Sequence, residues 1–400
     1  MPPPRSRKVT AAQVAQKRPV EERKLDRRAA TLAIVNKINR DKNYGAGTIV
    51  LATDVIVPDR LPTGALAFDV AMSGGLPVNQ WTEVVGNENS GKTTFILKAL
   101  AAAQAADPDY FCVWVASEAF DPDLADKCGV DRSRVYLIEE NVMEVAFSLA
   151  LEFIEGRACD MLVIDSYPAM VTQLEDAKTM EELSMGGAKV LNLFMRKCTK
   201  ATKRSLTDAD DRPFTGIIVN QWREKIGVIH GDPRTTPGGK GKNYWMYARL
   251  DVKRDEWIVN AQKEKVGQAI KIVCFKMKGA RPQQIGVVDF YFADHGEFKP
   301  GDYDAFKQII NLAVLFDVIG RRGSGYVGPN DVYIKSQQLL ADTLASDLEW
   351  RAQVERDVLE IAKRGKAPVE IDADILSIVE EEEEEPARHK PRSRRKTVSA

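Results

Sequence analysis

Two rhythms of apolar and polar positions run along the chain. Short continuous apolar runs bounded by turn residues ("WTEVVG" from Trp81, "YFCVWVAS", "DMLVID" and "FTGIIVNQ") read as buried strands. Between them lie longer stretches with helical spacing: "KTTFILKALAAAQAA", "EVAFSLALEFI" and "GAKVLNLFMRKCTKATK". The second of these places Val145, Ala146, Leu149 and Phe153 on one face. Further strands follow in "ARLDVKRDEW", "QAIKIVCFKMK" and "IGVVDFYFA". Strand–helix alternation with continuously apolar strands predicts an α/β fold, a mainly parallel sheet covered on both faces. Ligands of such sheets sit at the carboxyl ends of the strands.

The pattern changes at both flanks. Residues 1–28 are rich in Arg and Lys and read as a flexible basic arm. "AATLAIVNKI" has helical spacing and "NYGAGTIVL" reads as a turn into a strand, giving a helix–strand element over 29–57. The central α/β core is expected over 58–296, opening with a short helical piece in "LPTGALAFDVAMSGGLP". Residues 297–367 then offer a helix in "YDAFKQIINLAVLFDVI", a hairpin in "GYVGPNDVYI" and a helix with Trp350, Val354, Val358 and Ile361 on one face. They are expected to form a small α+β domain. Residues 368–400, an unbroken glutamate run from Glu380 to Glu385 followed by "ARHKPRSRRK", read as a disordered tail.

Composition narrows the function without choosing it. Apolar residues make up 44% and charged residues 29% of the 400, a globular balance. No stretch reaches the roughly 18–20 apolar residues of a membrane span. "MPPPRSRKVT" has no apolar signal region, so a cytoplasmic location without membrane contact is expected. Cys112, Cys128, Cys159, Cys198 and Cys274 are scattered, and His230, His295 and His389 are far apart, which argues against a disulfide framework or a metal cluster. A net charge of −1 gives no bulk signal for nucleic acid, so any such binding must come from local patches.

"GNENSGKTTF" carries the first chemistry. Gly86, Asn87, Glu88, Asn89, Ser90, Gly91, Lys92, Thr93 and Thr94 lie between a strand and a helix in the spacing of a phosphate-binding loop. Backbone N–H groups and the helix start surround phosphates, Lys92 reaches them, and the Thr93 hydroxyl ligates Mg²⁺. ATP and Mg²⁺ are the expected ligands. Asp165 ends the strand "DMLVID" and would hold the Mg²⁺ through water, the alternative being an ordinary helix cap. Glu118, after the strand "YFCVWVAS", can orient a hydrolytic water or be a surface glutamate. Gln221, ending "FTGIIVNQ", can contact a γ-phosphate or be a polar strand end. After it comes the Gly/Pro/Thr-rich run "WREKIGVIHGDPRTTPGGKGKNYW". Arg223, Lys225, Arg234, Lys240 and Lys242 there suit a phosphate chain and Ile226, Val228 and Ile229 could wedge between bases, unless the run is a solvated loop.

Together these residues resemble the RecA-type strand-exchange recombinases from about Ala33 to about Gly365. "YGAGTI", "FDPDLADKCGVD", "LVIDS", "MGGAKVLNLFMRK", "NQWREKIGVIHGDPRTTPGGKGKNYW" and "RLDVKR" stand in family order. The resemblance implies a RecA-like core and DNA-stimulated ATP hydrolysis. It also implies a helical filament of this chain on single-stranded DNA that pairs with homologous duplex. By it, Glu118 is similar to the catalytic glutamate, Asp165 and Ser166 to the second nucleotide motif, and Gln221 to the γ-phosphate sensor. Asp121 is similar to a residue near the adenine. A first DNA-binding loop would run from Glu175 to Gly186, with Met185, Gly186, Lys189 and Arg196 toward DNA. A second would run from Trp222 to Thr236, including Arg223, Lys225, Ile226, Gly227, Arg234, Thr235 and Thr236, with Gly238 and Gly239 just after it. Lys276 and Lys278 would reach the neighbour's ATP, Tyr244 would lie at the subunit interface, and the 29–57 element would dock on the adjacent subunit. The chain departs from the family at Asp121-Pro122-Asp123-Leu124, which lacks a tyrosine for the adenine. It departs again at Ala116, where an aspartate is common, in a Glu118 segment one residue short, and in the longer "KRSLTDADDRPFTG". Two other readings stay open: an ATP-gated filament or mediator with little hydrolysis, and a hexameric helicase.

Overall fold

The computed structural model describes residues 20–43, 49–55, 60–177, 186–202, 212–224 and 234–364. The chain divides into two compact units, 1–58 with 203–211 and 59–202 with 212–400.

In the first unit, α1 spans Val20–Arg40. It begins inside the segment expected to be a flexible arm, because "VEERKLDRR" is made of good helix formers without Gly or Pro. Residues 1–19 lie outside the described residues. The strand expected in "NYGAGTIVL" falls partly outside them too, and Ile49, Val50 and Leu51 are not paired into a strand. Both backbone groups of Ile49 bond instead to the Asn39 side chain, at 2.9 and 2.7 Å. A single amide thus takes the place of a partner strand.

The second unit is ordered α2 (Leu66–Ala71), β1 (Gln80–Val85), α3 (Lys92–Ala106), β2 (Cys112–Ala116), α4 (Pro122–Lys127), β3 (Val135–Ile138), α5 (Met143–Glu155), β4 (Met161–Asp165), α6 (Gln173–Asp176), α7 (Gly187–Thr202) and β5 (Thr215–Asn220). It continues through β6 (Arg223–Glu224), β7 (Arg234–Thr235), α8 (Gly239–Trp245), β8 (Met246–Val259), β9 (Lys265–Met277) and β10 (Gln284–Tyr291). It closes with α9 (Ala305–Leu315), β11 (Gly320–Arg322), β12 (Gly325–Val327), β13 (Tyr333–Ile334), α10 (Gln337–Ser346) and α11 (Leu348–Lys363).

Eight strands form one sheet in the order β10-β9-β8-β1-β5-β4-β2-β3. From β8 to β3 neighbours run parallel, while β9 and β10 are antiparallel. The mainly parallel α/β fold expected from the sequence is therefore present, with the antiparallel pair at one edge. Alternate strand residues serve opposite faces. Val84, Trp114, Val163 and Ile217 pack with Phe95, Ile96 and Leu100 of α3. Trp81, Val113, Leu162 and Ile218 pack on the other face with α5 and α7. The buried side of α5 is Ala146, Phe147, Ala150 and Ile154, while Val145 and Leu149 are 37% and 46% exposed. The buried face is thus rotated from the one expected: Ser148, Glu152 and Glu155 hold Val145 and Leu149 on the exposed side, and small Ala146 and Ala150 permit close approach to the sheet.

Beyond Gly296, a three-stranded sheet (β11-β12-β13) and α9, α10 and α11 build a third core. Leu66 and Val70 of α2 join that core. Val354 and Val358 are buried in it, with Trp350 packed against it. All five cysteines are free and buried, and burial pushes thiols such as Cys128 up to about 11.

Candidate nucleotide site and nucleic-acid interface

The carboxyl ends of β1, β5, β4 and β2 lie side by side. Val85 pairs with Asn220, Ile164 with Ile218, and Ala116 with Asp165. This register carries the loop after β1, Gln221 after β5, Asp165 and Ser166 at the end of β4, and Glu118 after β2 to one edge of the sheet.

The loop after β1 is shaped by contacts that exclude side chains. A Cβ on Gly86 would lie 2.3 Å from the Val252 carbonyl oxygen and 2.6 Å from Ser90 Oγ. Gly91 caps α3 in the left-handed region at φ 95°, and a Cβ there would meet Ile270 Cδ1 at 2.8 Å. α3 therefore starts directly at Lys92, with its first N–H groups unpaired by the helix itself and its positive end toward the loop. Ser90 is 4% exposed, and its hydroxyl has no hydrogen-bond partner among the described residues. An orphaned donor, bare glycines and a helix start together fit a phosphate group.

The charged groups at this edge are incompletely balanced. Lys92 Nζ donates to the Asn87 carbonyl at 2.7 Å. Thr93 Oγ1 donates to Asp165 Oδ2 at 3.2 Å, and Ser166 Oγ donates to Glu118 Oε1. Ser117 and Glu118 both donate backbone N–H groups to the Asp165 carbonyl, at 2.9 and 3.0 Å. Burial pushes the Asp165 carboxyl up to about 6, with the Glu118 charge adding to it and Thr93 and Lys92 opposing. Burial lowers the Lys92 ammonium, against Asp165, Glu118 and Glu88. Two carboxylates facing one hydroxyl-bearing helix start are a fitting set for a hard cation shared with phosphate oxygens. No group of three His, Cys, Asp or Glu side chains suited to a metal occurs among the described residues, so protein donors alone would leave such a cation under-coordinated. Asp121 caps α4 by accepting from the Leu124 N–H at 3.0 Å.

The residues expected to face nucleic acid form a less complete set. Met185, Lys225, Ile226 and Gly227, with Val228, Ile229 and His230, lie outside the described residues. Gly186 precedes α7, on which Lys189 and Arg196 are exposed. Arg223 and Arg234 sit on the paired strands β6 and β7 and are exposed, Thr235 is half-buried and Thr236 is buried. Gly238 caps α8 with φ 95°, and Gly239 begins that helix. The sequence placed Lys242 with the solvent-facing cations. The structure buries it completely, with its Nζ on Glu83.

A family model, the RecA N-terminal domain, matches residues 30–296, which is more than half of the chain. The chain belongs to the RecA family. A protein named Protein RecA from Rhodococcus jostii (strain RHA1) is 34% identical over 325 residues, covering 80% of this chain and 89% of that protein. Protein RecA of Kineococcus radiotolerans is 32% identical over 342 residues, with 84% and 93% covered. Protein RecA of Mycolicibacterium vanbaalenii is 32% identical over 352 residues, with 87% and 93% covered. Membership in the RecA family carries a RecA-like P-loop ATPase fold, binding of ATP and DNA, and a role in DNA recombination and repair.

Within this RecA-family core, Lys276 and Lys278 are not grouped with Lys92 and Glu118. Lys276 Nζ donates to the Asn243 and Met246 carbonyls, and Lys278 Nζ to the Tyr244 carbonyl at 3.3 Å. They thus neutralise the carbonyl end of α8. Tyr244, on the same helix, is 81% exposed. Sequence reasoning missed Glu83, Asn220 and Arg249. The one available signal was a glutamate inside the otherwise buried run "WTEVVG", which demanded an internal cation.

Proposed function

We propose that the chain is an ATP-dependent DNA strand-exchange recombinase that polymerises as a helical filament on single-stranded DNA and pairs it with homologous duplex. The observation that carries this is the convergence of Lys92, Thr93, Asp165, Ser166, Glu118 and Gln221 on one sheet edge. It lies in a chain whose basic segment leaves that same edge from β5. In this reading the N–H groups from Gly86 to Thr94, with Lys92, bind the β- and γ-phosphates. Thr93 and Asp165 are the residues that would hold Mg²⁺. The bound Mg²⁺ supplies neutralisation of phosphate charge. Glu118 orients the attacking water and accepts its proton. Gln221, level with the first glycine of the loop, contacts the γ-phosphate. Asp121 lies near the adenine.

Arg223, Arg234 and Thr235, with Lys189 and Arg196, contact the DNA backbone, while Thr236, expected among them, is buried with its hydroxyl held by Lys242 and Arg249. Tyr244 lies at the subunit boundary, and Lys276 and Lys278 turn from the α8 carbonyls to a neighbour's triphosphate when the filament forms. No helix among the described residues is long and apolar enough to cross a membrane.

The test is electron microscopy and joint-molecule formation with purified protein, single-stranded DNA and Mg·ATP. Filaments and homology-dependent joint molecules are expected. Their joint absence contradicts the proposal. One observation favours a second reading, an ATP-gated filament with little hydrolysis: Glu118 is already engaged by the Ser166 hydroxyl. Negligible ATP turnover on filaments that do form would select it.

A further inference from the structure

Glu83 lies inside β1, three positions before the first glycine of the phosphate loop, and is 0% exposed. Donors from three elements converge on its carboxylate. These are Lys242 Nζ from α8, Arg249 Nε from β8 at 2.5 Å, and Asn220 Nδ2 from β5 at 2.8 Å. The same donors reach onward. Lys242 Nζ bonds Thr236 Oγ1 at 2.8 Å and Arg249 Nη2 bonds it at 3.3 Å. Asn220 Nδ2 also donates to the Pro237 carbonyl at 3.1 Å, and its Oδ1 accepts from the Gln221 N–H at 2.9 Å. One buried carboxylate thus ties the phosphate-loop strand to the chain on both sides of residues 225–233.

A second path runs along the surface. The Arg249 guanidinium lies 4.7 Å over the Phe275 ring, Phe275 lies 5.8 Å from Trp222, and Arg234 lies 4.7 Å over Trp222. Trp222 Nε1 and Arg234 Nη1 both bond Asp251, at 2.7 and 3.2 Å. Trp222 and Arg234 are thereby clasped together at the base of the basic segment.

Apolar residues of similar volume would pack as stably as this ion cluster, so stability alone is a weak account of it. Its bonds instead fix the relative positions of Gln221, Thr236 and β1. We infer that the Glu83–Lys242–Arg249 cluster is a positioning device that transmits triphosphate occupancy at the phosphate loop to the Trp222–Arg234 clasp. The inference rests on the proposed reading of Gly86–Thr93 as a triphosphate site. A side chain at Gln221 drawn toward a γ-phosphate pulls on Asn220, whose amide is shared by Glu83 and Pro237. Tightly packed groups answer such a pull by stepping between arrangements rather than stretching. Glu83 and Lys242 touch no reacting atom; they act through Asn220 and Thr236.

Trp222 is itself the reporter. The test measures its emission, as wild type minus Trp222→Phe, on adding Mg²⁺ and a non-hydrolysable β,γ-imido ATP analogue without DNA. A labelled ATP measures binding in parallel. The comparison protein is Glu83→Gln/Lys242→Met, which removes the buried Glu83–Lys242 pair at near-constant volume and leaves Arg249 as the one charge of the cluster. The expected result is a clear wild-type response and at least a fivefold smaller one in the double variant, with nucleotide affinity within twofold. If the double variant does not fold, Phe275→Leu breaks the stack alone and is expected to at least halve the response. A full response in a variant that folds, or a nucleotide-bound wild type with no response, overturns the inference. A wild type that binds no nucleotide defeats the phosphate-loop reading first, and a nucleotide response without any DNA-stimulated turnover defeats the recombinase reading while leaving the coupling standing.

Discussion

Two charged clusters share strand β1 and are built on opposite principles. At its end, Lys92, Asp165 and Glu118 gather around a phosphate-shaped loop with an orphaned Ser90 hydroxyl and imperfectly balanced charge. Within the strand, Glu83 has every approach filled by Lys242, Arg249 and Asn220. The first cluster leaves the buried Ser90 hydroxyl unpaired and sets two carboxylates near one lysine. The second is saturated by its own side chains. Incomplete charge at a strand end marks chemistry, and complete charge inside the sheet marks position.

The comparison can be broken by removing one cation from each cluster. Lys242→Met leaves Glu83 with Arg249 and Asn220 but one buried charged donor short, and is expected to cost about 1.5–3 kcal/mol of stability, read from the denaturant midpoint. Lys92→Ala is expected to change stability by only about 0.5 kcal/mol, since it loses one carbonyl contact at a solvent-facing loop. It should lower ATP hydrolysis by about 10²–10³-fold. Equal stability losses would erase the distinction.

Asp69 sharpens it from a third direction. This buried carboxyl is held by neutral donors, the Thr63 N–H at 2.9 Å and the Thr63 hydroxyl at 2.8 Å, and burial pushes it up to about 7 from 3.8. Between those values the folded state holds the proton more tightly than the unfolded chain. Asp69 therefore contributes stability that is complete below about pH 4 and is lost as pH rises through about 7. The slope approaches about 1.4 kcal/mol per pH unit and is expected to vanish in Asp69→Asn, measured by unfolding across that range. The smallest effect is expected at exposed Arg223. Arg223→Ala should weaken single-stranded DNA binding modestly and reduce the slope of log affinity against log salt by about 1. An unchanged slope would remove Arg223 from the phosphate contacts.

Much of the first cluster was legible because its chemistry is local. The spacing from Gly86 to Thr93 needs only a strand before and a helix after, and Asp165 only the end of an apolar run. The second cluster joins positions 83, 220, 242 and 249, brought together by strand order and by the α8 turn, neither of which spacing encodes. Lys242 shows the cost: counted among solvent-facing cations in a basic run, it is the most deeply buried of them. The α5 face was misread although Glu144, Ser148, Glu152 and Glu155 form a polar stripe at helical spacing; the reading followed the larger apolar residues Val145 and Leu149, which flank that stripe and are exposed beside it. α1 was shortened because a charged segment with helix propensity resembles a flexible one in composition alone.

The central claim is that this RecA-family chain couples ATP hydrolysis to DNA. The most direct measurement is steady-state ATP turnover with and without single-stranded DNA, in wild type and Glu118→Gln. The expected result is a strong stimulation by DNA in wild type and about a 10²-fold loss of the stimulated rate in Glu118→Gln, with labelled-ATP binding retained. A wild-type rate indifferent to DNA, or a variant that turns over as fast as wild type, would contradict it.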